Sequence, residues 1–172
     1  MKKLYYIIFT IFISLNSYAE DFRTLQQGFD NLKFGDIKES SRKDEVIKLN
    51  NKADELLAKY PDSAEIKIWS GIIKAYKAEV LHNYKSIGLI NDSRDILEDS
   101  IKLDSKAIKS SGLVALGALY YKTLPKPFSF KDNKKAEDLL KQALKQNPEN
   151  VEANYFYSEF LIKNEVNNGL HN

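Results

Sequence analysis

The side chains with the most chemical capacity are few in this chain. Histidine occurs twice, at His82 and His171, and cysteine does not occur. Thiol nucleophiles, thiolate metal sites and disulfides are therefore excluded. Glu79 and His82 stand at the i, i+3 spacing by which a carboxylate and an imidazole share a metal in di-iron bundles. Such a centre needs a second copy of the pair, and the other histidine lies in the tail, so His82 reads as a polar residue at a helix end. Gly112 and Gly117 have the spacing of a phosphate-binding loop, but Ala118-Leu119 follow where Lys and Ser or Thr would hold phosphate and magnesium. Gly-x-Ser-x-Gly, His-Glu-x-x-His and Gly-x-Gly-x-x-Gly are absent. Carboxylates are scattered as on solvated helix faces. The expectation is a non-enzymatic protein with no catalytic residue, no metal and no cofactor.

What remains is aromatic rings and lysines, groups suited to recognition. Tyr120, Tyr121, Phe128, Phe130, Tyr155, Phe156, Tyr157 and Phe160 crowd the last third of the chain. If Leu113 and Tyr120 point inward, helical phase turns Tyr121 and Lys122 toward a neighbouring helix. The same phase presents Tyr155, Glu159 and Lys163 in the following helix of that kind, and Lys74 and Lys77 in the preceding one. These residues form the candidate binding surface, suited to an extended acidic peptide or a carboxylate ligand. The alternative for Tyr121 and Tyr155 is burial in the core.

The elements that must position them are helices. Phe22, Leu25, Phe29 and Leu32 recur at three and four residues in 21–35, an amphipathic pattern. Residues 37–43 read as a polar connector, and 44–60 as a second helix with Val46, Leu49, Ala53, Leu56 and Leu57 on one face. Pro61-Asp62-Ser63 stops that helix and caps the next. In 64–84 a wide apolar stripe runs from Ile68 and Trp69 to Val80. Residues 87–90 read as a link, and further helices are expected at 93–103, 106–121, 133–146 and 150–163. No long period-two alternation occurs. The fold class is all-α, with about seven helices.

The helices repeat. Residues 135–140 read KAEDLL and 52–57 read KADELL. Aligning Ser93 with Ala136 matches Ile96-Leu97 to Leu139-Leu140 and Ser100-Ile101 to Ala143-Leu144. Leu113, Leu116, Gly117 and Tyr120, then Ala136, Leu140, Ala143 and Pro148, carry the spacings of the two helices of a tetratricopeptide repeat, which the chain resembles. Small residues let the paired helices approach, so Gly117 is expected to face Ala143. The copy exceeds the usual length of about 34 residues, with the excess in the Leu124–Phe130 loop and just before Leu113. The earlier unit reads as Trp69, Ile72, Ile73 and Tyr76, with bulky Ile73 at the small position. Residues 61–164 as a whole resemble uncharacterised bacterial exported proteins of tetratricopeptide type. That rests on LGALYY, the Pro- and Phe-containing loop and NYFYSEFL; where that family commonly has a glycine-rich insert, this chain has 126–131. A weaker similarity is to helical partner proteins of periplasmic substrate-uptake transporters. The resemblance implies a stack of antiparallel helix pairs whose first helices line a concave groove, which would include Tyr121 and Tyr155.

The amino terminus points to export. Lys2 and Lys3 precede an apolar run from Leu4 to Leu15, and Ser17 and Ala19 offer small side chains to a signal peptidase. The run is well short of the roughly 20 residues that span a bilayer. Residues 1–19 are expected to be a cleaved signal peptide, leaving 20–172 as one domain in the periplasm or secreted, with no cysteine for a lipid anchor and no stable membrane insertion. Lys2 and Lys3 account for the excess of basic over acidic residues, 26 to 24. A balanced chain with few arginines offers nucleic acid no general attraction. The expected function is a protein- or peptide-binding or assembly module of the cell envelope. The alternative is a small-molecule carrier, holding an apolar or organic-acid ligand for a transporter.

Overall fold

The computed structural model describes residues 20–83 and 85–169, with side chains through Asn164. Residues 1–19, where the signal peptide is expected, Tyr84 and His171 lie outside the described residues. The described chain is helical: α1 (20–34), α2 (Glu39–Lys59), α3 (Ala64–Leu81), α4 (Ser86–Asp104), α5 (Ala107–Lys122), α6 (Asn133–Gln146) and α7 (Val151–Gly169). The all-α expectation with seven helices holds.

Local chemistry sets the helix ends. Ser63 caps α3 by accepting from the Ile66 N–H at 3.1 Å, and Asp132 caps α6 by accepting from the Lys135 N–H at 2.9 Å. The Asn150 side chain does the same for Ala153 at the start of α7. Two expected connectors are helical, one in part and one throughout. The region 37–43 enters α2 at Glu39, where Arg42 pairs with Glu39 at 2.9 Å and donates to the Leu32 carbonyl at 2.6 Å. One arginine thus supports the first turn of α2 and caps the end of α1. Residues 87–90 belong to α4, whose start is tied to α3 by Ser86 donating to the Ala78 carbonyl at 3.0 Å.

The helices stack as pairs. α3 packs chiefly on α4 and α5 on α6, while α3, α5 and α7 touch in succession. Close approach comes from glycine. A Cβ on Gly117 would sit 2.9 Å from Leu140 Cγ, and one on Gly71 would sit 2.6 Å from Leu97 Cγ. The partner of Gly117 is thus Leu140, together with the Ala136 carbonyl, and not Ala143. In the earlier unit the small position is Gly71, two residues before Ile73, and Ser93 donates to its carbonyl at 2.7 Å. Ile73 is buried in a different layer, with Leu25, Ala53, Leu56 and Ile66.

Both expected insertions are visible. Before Leu113, residues Ile108, Lys109 and Ser110 take left-handed backbone angles, held by Asn150 donating to the Lys109 carbonyl at 2.7 Å and Ser110 to Gln146 at 2.6 Å. Between α5 and α6, the 123–132 loop folds back on itself through Lys131 N–H to the Leu124 carbonyl at 3.1 Å. Phe130 packs edge-on against Tyr120 at 5.2 Å, whereas Phe128 is exposed.

Candidate binding groove

A groove runs along the first helix of each pair. α1 contributes Phe29 and Phe34, α3 contributes Trp69, Ile72 and Tyr76, α5 contributes Val114, Ala115 and Ala118, and α7 contributes Tyr155 and Phe156. These positions recur at three and four residues because one stripe of each helix faces the concavity. Alanines at 75, 115 and 118 form a low floor between aromatic walls, and the groove has a volume of about 810 Å³. Leu124 and Ser129 of the 123–132 loop border it. Phe29 meets Tyr76 edge-on at 5.5 Å and Trp69 at 5.6 Å, so the wall is a packed aromatic cluster. The Trp69 Nε1 is buried without a hydrogen-bond acceptor.

The structure divides the expected binding residues into three places. Tyr155, 62% exposed, and Lys122 line the groove. Tyr121 is core, 4% exposed and edge-on to Phe160 at 5.6 Å. Its hydroxyl donates to Glu159 at 2.9 Å. Lys122 at 2.9 Å and Lys163 at 2.6 Å pair with the same carboxylate. Four of the expected residues therefore meet around one carboxylate. Lys74 is buried and paired with Asp54 of α2 at 2.9 Å, and burial followed by the Lys74 charge lowers the Lys77 pKa. Neither lysine lines the groove. In sequence, Trp69, Ile72 and Tyr76 share one apolar stripe with Ile68 and Ile73, and Phe29 shares one with Leu25 and Leu32, so spacing does not distinguish them from core, and Phe34 carries no signal. The width of the α3 stripe, more than one neighbouring helix needs, was the available signal.

The Glu159 cluster has a titration consequence. Burial opposes its charge, yet hydrogen bonds from Lys163, Lys122 and Tyr121 outweigh that and lower its pKa from 4.5 to about 2. Burial, then the Glu159 contacts, push the Tyr121 phenol well above its ordinary range. A depressed carboxyl pKa contributes stability that is complete above about pH 4.5 and is lost as pH falls toward 2. Glu159→Gln is expected to cost about 2 kcal/mol at neutral pH, the half-exposed lysines limiting the effect. In urea titrations the gap between the wild type and this variant should shrink as the pH is lowered to about 3; a gap independent of pH would show that the carboxylate charge contributes nothing.

Other polar groups are structural. Tyr120 donates to Glu98 at 2.8 Å and Lys135 pairs with Glu98 at 3.0 Å, tying α4, α5 and α6 together. His82 takes a left-handed C-cap conformation after α3, and its Nδ1 meets the Glu79 backbone carbonyl instead of the Glu79 carboxylate. Among the described residues no group of three or more His, Asp or Glu side chains could hold a metal ion, and no helix is long and apolar enough to cross a membrane.

A comparison with curated proteins finds no match. Residues 128–165, which span the end of the 123–132 loop, α6 and most of α7, match the family model of the tetratricopeptide repeat. With that match and its stack of helix pairs, the chain is tetratricopeptide-like.

Proposed function

We propose that this protein is a non-enzymatic module of the cell envelope that binds a polypeptide segment in the groove between α1, α3, α5 and α7. The observation that carries this reading is the aromatic-walled, alanine-floored concavity, which exposes apolar surface across four helices. An apolar concavity is the kind of surface that takes a ligand or partner segment, and tetratricopeptide repeats commonly mediate protein–protein contacts. The envelope setting is supported by Lys2-Lys3, the Leu4–Leu15 run and Ser17-x-Ala19.

A photo-crosslinking side chain at Tyr155, in the groove, should capture a polypeptide in cells, whereas one at exposed Lys141 on α6 should not. Equal capture from both positions would remove the groove from consideration. One observation favours a small-molecule ligand as the second reading. The groove volume lies in the range of about 300–1,000 Å³ typical of ligand pockets, and Leu124 and Ser129 border it. Under that reading native mass spectrometry of the purified protein would retain a small ligand, and the Tyr155 crosslinker would capture no polypeptide.

A further inference from the structure

The charges around the groove select among polypeptide partners, and this step rests on the groove reading above. The two lysines that line the groove are already engaged. Lys122 pairs with Glu159 at 2.9 Å, and Lys33 lies over the Tyr76 ring at 5.1 Å. The carboxylates lining the groove are not. Asp30 of α1, Glu79 in the last turn of α3 and Glu152 in the first turn of α7 make no ion pair among the described residues. Glu152 receives a single long contact from the Ser111 hydroxyl at 3.4 Å. Trp69, Tyr76 and Tyr155 line the same groove, and aromatic rings together with carboxylates are favourable surroundings for ammonium and guanidinium groups.

We infer that the groove's partner is a cationic amphipathic polypeptide segment: apolar side chains fill the alanine floor, and lysines or arginines meet Asp30, Glu79 and Glu152. The three carboxylates lie on three of the helices that line the groove, an arrangement suited to an extended chain or helix that crosses them. Overall charge does not produce this preference, since the chain is nearly balanced at 26 basic and 24 acidic residues.

Trp69 is the single tryptophan of the chain, so its emission reports on the groove directly. Two synthetic amphipathic peptides with one Leu/Phe face, one bearing lysine on the polar face and the other glutamate, form the probe pair. The lysine peptide should shift Trp69 emission and bind at least about 10-fold more tightly at low salt, the advantage shrinking as salt is added. Asp30→Asn with Glu79→Gln and Glu152→Gln should erase that advantage while leaving the melting temperature unchanged. Equal binding of the two peptides, or tighter binding of the glutamate peptide, would overturn the inference and leave the groove reading standing. If neither peptide moves Trp69 emission, the groove reading fails and the inference with it.

Discussion

Gly117→Leu is expected to destabilise the fold by about 3 kcal/mol, the upper end of the usual cost of overpacking a core. The glycine lies where α5 touches α6, and even a methyl group there would approach Leu140 Cγ to 2.9 Å and the Ala136 carbonyl oxygen to 3.3 Å. Leu140 is fully buried and cannot swing into solvent. At roughly 2–4 °C per kcal/mol for a domain of this size, the melting temperature should fall by about 6–12 °C. Combining Gly117→Leu with Leu140→Ala should recover part of the loss, because the new side chain occupies the vacated volume. Additive destabilisation in the double variant would show that the two residues do not share a contact.

Tyr121→Ala is expected to cost about 3–5 kcal/mol, while Tyr155→Ala should change stability by less than about 0.5 kcal/mol. Helical phase alone puts the two tyrosines together, on one surface or in the core. Tyr121 instead packs against Phe160 and donates to Glu159, so its removal leaves a cavity between α5 and α7 and takes a donor from the carboxylate. Tyr155 is 62% exposed and contacts Phe156 at the groove edge. Thermal melts separate them, and crosslinking or peptide titration with Tyr155→Ala then reports on binding in a folded protein. Equal destabilisation by the two substitutions would contradict the placement of α7 on α5.

The contrast between these tyrosines shows where a helix read alone runs out. Leu113 and Tyr120 face inward as their phase requires, at 0% and 5% exposure. Tyr121 follows Tyr120 by one residue, about 100° around the helix. Phase says only that it leaves one buried face; it does not say that α7 covers the next. Lys122, one residue further on, reaches the groove and is still held by Glu159. Lys74 likewise lay at an exposed phase, until Asp54 of α2 met it across a pair of helices.

Features carried by local spacing were legible in the sequence. Apolar residues at three and four, with Ser63 and Asp132 at the caps, determined the helices, because both effects act within a turn of the chain. The small–large pattern of Leu113, Leu116, Gly117 and Tyr120 against Ala136, Leu140 and Ala143 determined the helix pairing and the repeat. The tertiary structure alone decided the register of the contacts: Gly117 on Leu140, and Gly71 in place of Ile73 as the close-approach residue of the earlier unit. It also decided which charges are available, since Lys122, Lys163 and Lys74 find carboxylates on or across helices while Asp30, Glu79 and Glu152 form no ion pair among the described residues. Apolar patterning states that a face is buried or covered but does not name the helix that covers it. An ion pair depends on two side chains meeting in space, whatever their separation along the chain.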